Sequence, residues 1–185
     1  MNNLISLGKT IITTDRPNLP HCHPYLEIVL YREGRGEAII GDQNIPFHKN
    51  TVICTPAGIL HCEKSAEEYA STWIQVKSPE NYLSKVFVIQ DPEHRPFSAI
   101  SELLYKEYHL QKGNYQDICG QLVILLIFYL RQHLDNHSKN SYIEKIENIL
   151  IENIQNHNFS LKKSLSVINL SMPYLIRLFK KHTGQ

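Results

Sequence analysis

Short apolar runs bounded by turn-forming residues fill the first ninety positions of the chain. GKTIITT at 8–14, LEIVLY at 26–31, AII at 38–40, IPF at 45–47, TVICT at 51–55 and STWIQV at 71–76 are rich in β-branched and aromatic side chains, and each predicts a strand. The intervening DRPNLP at 15–20, EGRGE at 33–37, GDQN at 41–44 and HKN at 48–50 carry turn chemistry, with GDQN suited to a hairpin. Many short strands at this spacing predict an all-β sandwich or barrel that ends near Gln90.

The period then changes. DPEHRP at 91–96, with two prolines, reads as a linker. Ile100, Leu103, Leu104, Glu107 and Tyr108 follow helical spacing up to Gly113. A second helix from about Tyr115 to Leu134 places Ile118, Leu122, Leu125, Leu126 and Tyr129 on one stripe, and Val123, Ile124, Ile127 and Phe128 extend it around most of the circumference. Such a helix needs more than one wall: one face is expected to cover the barrel and the other either to pair with its copy in a homodimer or to be buried within the same subunit. DNHSKNS at 135–141 reads as a second linker. Tyr142, Ile143, Ile146, Ile149, Leu150 and Ile154 mark a further helix to about Asn156. Ser160 is placed to cap a short helix from Leu161 to about Ile168, and Ser171 to cap another from Met172 to His182 with Pro173 in its first turn. Helix, tight turn and capped helix is the helix-turn-helix pattern. The chain thus divides into 1–90, 91–135 and 142–185.

Composition adds limits. With 185 residues, 42% hydrophobic and 20% charged, the chain holds one full core and a smaller unit. The longest apolar run, Leu122 to Leu130, is shorter than a membrane span, and MNNLISLGKT lacks the pattern of a secretion signal, so a cytoplasmic protein without membrane partners is expected. Cys22, Cys54, Cys62 and Cys119 form no CxxC pair and read as reduced, half-buried thiols. Lys and Arg number eight against nine Asp and Glu in 1–90, five against six in 91–141, and six against three in 142–185, so only the last piece leans toward a polyanion.

The candidate chemistry lies between His21 and His61. On an extended strand the odd positions His21, His23 and Glu27 share a face, with Cys22 and Pro24 on the other, and a second strand after Pro56 and Gly58 delivers His61 to the same cavity. Three imidazoles and a carboxylate suit Zn, Ni, Mn or Fe. They equally suit a polar effector held by hydrogen bonds, or stand as hydrogen-bonded interior groups. Tyr25, Tyr31 and Trp73 are candidates for stacking against a sugar, and otherwise core.

The spacing HxHxxxE to Gly34, then PxGxxH ending at His61, resembles the two motifs of the cupin superfamily, with Asn50 where the second motif usually opens with Gly and Ser65 where it often closes with Asn. Ser171-x-x-Tyr174-Leu175-x-Arg177-Leu178-Phe179-Lys180-Lys181-x-x-Gly184 resembles the first helix-turn-helix of the AraC-type transcriptional regulators, with Ser164 and Leu165 where that family usually has Leu-Ala. Together these resemblances imply an α+β chain: an N-terminal cupin or jelly-roll β-barrel, connecting helices, then a partial all-α helix-turn-helix unit. They imply a ligand-responsive, non-enzymatic bacterial regulator that binds a small effector in the barrel and promoter DNA through Met172, Pro173, Ile176, Arg177, Lys180 and Lys181. They also imply a second helix-turn-helix beyond Gln185, and therefore weak DNA binding by this chain alone. A metal-dependent dioxygenase or isomerase, and a sensor or dimerisation module without DNA binding, are the alternatives.

Overall fold

In the computed structural model, which describes residues 3–13, 18–77, 83–135 and 141–184, the alternating segments form strands β1 (Leu4–Ile12), β2 (Leu26–Glu33), β3 (Arg35–Ile40), β4 (Gln43–His48), β5 (Thr51–Thr55), β6 (His61–Lys64), β7 (Tyr69–Val76) and β8 (Phe87–Gln90). They make two antiparallel sheets, one ordered β1-β7-β2-β5-β8 and the other β4-β3-β6. Val29, Tyr31, Ala38, Ile40, Phe47, Ile53 and Tyr69 pack into one buried cluster drawn from both sheets, so the sheets face each other. Leu26, Ile28 and Leu30 point to the opposite side of β2 and are buried as well, which explains why this strand reads as a continuous apolar run. The architecture is α+β, a two-sheet jelly-roll followed by helices. β6 is the strand expected after Pro56 and Gly58 to carry His61, β8 lies where no strand was expected, and β1 starts earlier than GKTIITT because LIS extends its pairing with β7.

Two backbone positions show how the sequence makes the turns. Gly34 adopts φ +78°, and a Cβ there would come within 2.5 Å of the Glu68 carbonyl. Asn50 adopts φ 67°, so it fills with a tolerated residue the left-handed position at which the cupin motif usually has glycine.

The chain divides into two compact units, 1–133 and 134–185. In the first, DPEHRP is no free linker: Asp91 N–H donates to the Asn50 carbonyl (2.8 Å), and the Asp91 carboxylate accepts from the N–H groups of Phe97 (3.2 Å) and Ser98 (3.0 Å). These bonds start α1 (Pro96–Leu110), which lies on β1 through Lys9 Nζ and Glu102 Oε2 at 2.5 Å. α2 (Tyr115–Asp135) meets α1 where Phe97 packs edge-on to Tyr129 and His133. Its buried stripe is Cys119, Val123, Leu126 and Leu130, turned from the expected one, while Ile118, Ile124, Leu125 and Phe128 are exposed. Contrary to the expectation from the apolar run alone, Tyr115–Leu134 is long and apolar enough to cross a membrane by length and composition.

In the second unit, α3 (Ser141–Glu152), α4 (Leu161–Ser164) with a following 3-10 turn (Leu165–Val167), and α5 (Met172–Thr183) share a core of Ile143, Ile146, Leu165, Ile168 and Leu175. α3 ends before Asn156 was reached, leaving Ile154 exposed. The short helix expected over 161–168 is α-helical for one turn only. Leu165 fills the core at that point, and the chain tightens around it. Ser160 Oγ accepts from Lys163 N–H, as a cap should. Ser171 sits at the N-cap of α5 without a side-chain bond, and its carbonyl instead accepts from Tyr174 and Leu175 N–H. The linker expected at 135–141 falls mostly outside the described residues.

Candidate functional site

His21 is fixed by the backbone: its N–H donates to the His61 carbonyl at 3.0 Å and its carbonyl accepts from His61 N–H at 2.9 Å. Two residues on, the His23 carbonyl accepts from Gly58 N–H at 2.9 Å, which ties the Pro56–Gly58 turn to the first motif. Glu27 lies on β2 opposite Thr55 and Gln75, and His61 opens β6 opposite Ile40. The lead-in segment and both sheets therefore each supply part of one cluster, whose candidate ligand atoms all lie within 4.8 Å of one another. Cys22 and Pro24 are exposed, so Cys22 is more open than the half-buried thiol expected, and the strand expected to carry His21 and His23 begins only at Leu26.

The second ring nitrogen of each imidazole is spoken for. Nδ1 meets a backbone carbonyl in every case: Leu19 for His21 (2.9 Å), Tyr25 for His23 (3.0 Å) and Ile59 for His61 (2.8 Å). A carbonyl only accepts, so each Nδ1 carries a proton; Nε2 is left for a ligand on His21 and His23, while on His61 it donates to Glu27 and becomes a ligand when that proton leaves. Burial alone would raise the Glu27 carboxyl, but the hydrogen bond from His61, the charges of His61 and His23 and a bond from Gln75 hold it below its ordinary value. Burial likewise would lower His61, yet its bonds to Glu27 (3.0 Å) and Ile59 raise it. His23 Nε2 is buried with no hydrogen-bond partner, 3.4 Å from Glu27 Oε1. Three oriented nitrogens, one of them the orphaned Nε2 of His23, and one oxygen fit a divalent transition metal.

A cavity of about 190 Å³ adjoins the cluster and shares His21 and Glu27 with it. Its further lining includes Thr10, Asn18, Glu63, Tyr69, Ser71, Trp73 and Gln75. Trp73 is one of the three expected stacking residues and does border this space, with Nε1 donating to Thr10 Oγ1 at 3.0 Å. Tyr31 is a correction: its ring is stacked at 3.7 Å on Phe47 in the core and its hydroxyl donates to Glu63, so it offers a ligand no face. Tyr25 stacks on His23 instead of lining the cavity. Glu63 was missed by sequence reasoning, although it stands two residues after His61 on one strand and so had to share its face. Asn18 and Tyr31 donate to it, and burial raises its carboxyl above the ordinary range. The Tyr69 hydroxyl is buried without a partner.

In the second unit, Pro173, Ile176, Arg177, Lys180 and Lys181 are exposed on α5, joined by Tyr174. Met172 departs from the expectation, being partly buried against the core through Leu175 and its neighbours. The sign of that was legible in the helix period, since 172, 175, 178 and 179 share one face.

Fold and site define an α+β protein with a jelly-roll whose sheets hold a His/Glu group able to bind a metal. No protein-family model and no curated protein matches the chain. Among solved structures, an RmlC-like cupin from Shewanella frigidimarina is similar at a TM-score of 0.38 and 11% identity, over 44% of this chain and 73% of its own. A cupin 2 conserved barrel domain protein from Salinispora arenicola is similar at a TM-score of 0.34 and 21% identity, over 39% of this chain and 62% of its own. ToxT from Vibrio cholerae, bound to (E)-4-(8-methylnaphthalen-1-yl)but-3-enoic acid, is similar at a TM-score of 0.48 and 10% identity, over 98% of this chain and 77% of its own.

Proposed function

We infer that the chain belongs to a ligand-responsive transcriptional regulator of the AraC type, with a small polar effector received by the jelly-roll and DNA by α5. The observation that carries this reading is the presence, on one chain, of a pre-oriented polar site in the first unit and an exposed basic helix face in the second. An effector acts by binding two arrangements of the protein with different affinity, and the exposed stripe of α2 supplies the surface through which two subunits pair. Nε2 of His21, His23 and His61 and the Glu27 carboxylate would hold a metal, which would supply Lewis acidity there. In this reading the exposed Arg177 and Lys180 supply base or phosphate contacts, and Lys181 a phosphate contact. The test is binding of random duplex DNA at low salt, with and without metal, by the wild-type chain and by a variant with Arg177 and Lys180 both changed to Ala. Loss of binding in the variant supports the reading, and equal binding by both sinks it.

The four-ligand set favours a second reading, a metal-dependent dioxygenase or isomerase. Stoichiometric iron with oxygen consumption on an added substrate would establish it, whereas a bound zinc would not discriminate. A sensor or dimerisation module that leaves DNA alone predicts dimers and no retardation of duplex at any salt.

A further inference from the structure

The cavity beside the His/Glu cluster holds a buried acidic side chain with no Lys or Arg beside it among the described residues. Glu63 is 8% exposed and, among the described residues, receives hydrogen bonds from the neutral Asn18 amide and Tyr31 hydroxyl. Among the described residues no Lys or Arg pairs with it or lines the cavity. Glu27, on the same wall, is already matched by His61. The Tyr69 side chain is 2% exposed, borders the cavity, and has a buried hydroxyl with no partner. Trp73 has spent its N–H on Thr10, so it offers the cavity ring surface and no donor. Gly8 opposite makes that placement possible, because a Cβ there would come within 2.5 Å of the indole. An anionic ligand would face the Glu63 carboxylate with no Lys or Arg among the described lining residues, whereas a cation meets that carboxylate and gains the aromatic face.

We propose that this cavity takes a small protonated amine, its nitrogen held by the Glu63 carboxylate and the Tyr69 hydroxyl and its carbon skeleton against Trp73. The assignment rests on reading the jelly-roll as an effector site, and the volume of about 190 Å³ restricts the skeleton to a few carbons.

The test is thermal unfolding and calorimetry of the full chain, freed of metal by chelator, with three matched probe sets: ethanolamine, propylamine and putrescine; glycerol, erythritol and xylose; acetate, lactate and butyrate. The amines are expected to raise the melting temperature and the other sets to leave it unchanged. Glu63→Gln should weaken the best amine by about tenfold or more, because it removes a charged hydrogen bond. Tyr69→Phe should weaken it less, and Glu63→Asp should recover part of the loss. Melting temperatures of the free variants close to wild type show that the fold is retained. Binding of polyols in place of amines overturns the amine assignment and leaves the effector reading standing. Binding of acids, or amine binding untouched by Glu63→Gln, also overturns the assignment. No response to any set overturns it too, and the effector reading is then judged by its own DNA test.

Discussion

At the scale of single residues, the three histidines share one device. Each Nδ1–H is anchored on a main-chain carbonyl within two residues, so the imidazole is aimed before any ligand arrives. His61→Ala and Glu27→Ala should each lower zinc affinity by about tenfold or more, measured by competition with a chromophoric chelator. Without metal, the Glu27–His61 pair links stability to pH. Glu27 is lowered from 4.5, so its contribution is present above that value and is lost as pH falls through the folded one. His61 is raised from 6.5, so its contribution is complete below that value and is lost as pH rises through the folded one. The pair therefore stabilises most between about pH 4.5 and 6.5. Melting curves in chelator across pH 3 to 9 should show that plateau in the wild type, and His61→Ala should flatten it.

At the scale of elements, the helix that carries Leu165 gives the sharpest test. The AraC resemblance places a small residue there, as a tight crossing demands, yet Leu165 is 3% exposed within the core of the second unit. Leu165→Ala should cost about 2–5 kcal/mol by denaturant unfolding of that unit's signal. A variant as stable as wild type would mean that the crossing is as close as the resemblance implies. Much of the fold was readable from local pattern, because β-branched runs and turn residues announce strands wherever one face is buried. The four site residues were readable from their spacing, although not by alternation along one strand: residues 22–25 precede β2 and bend at Pro24 and Tyr25, and the His21–His61 bridge and the Gly58 N–H bond to His23 bring the imidazoles to Glu27. What local pattern does not carry is register. Nothing in the sequence says that Gln75 lies opposite Glu27 or that Trp73 lies over Gly8, and so the cavity wall stayed hidden. β6 was marked by the Pro56–Gly58 turn and His61 alone, because HCEK has no apolar alternation, its two inward groups being a histidine and a glutamate, and so Glu63 went unread. On α2 the apolar surface is so broad that the period alone did not fix which stripe packs.

At the scale of the whole molecule, the exposed residues of α2 and α5 bear on assembly and on DNA. Phe128 is 56% exposed on α2, and Phe128→Glu should convert a dimer to a monomer in light scattering without lowering the melting temperature. On α5, Lys180→Ala and Lys181→Ala should each reduce the slope of log affinity against log salt by about 1 if they meet phosphates. The central claim is that one chain joins a small-molecule site to a DNA-binding helix. The measurement that tests it most directly is fluorescence anisotropy on a duplex selected from a random pool at low salt, titrated with the chain in the presence and absence of zinc and of ethanolamine. The account predicts saturable binding that requires Arg177 and Lys180 and shifts when either small ligand is added. Binding of no duplex at any salt, or binding that is identical in the Arg177→Ala, Lys180→Ala variant and indifferent to every ligand, would contradict it.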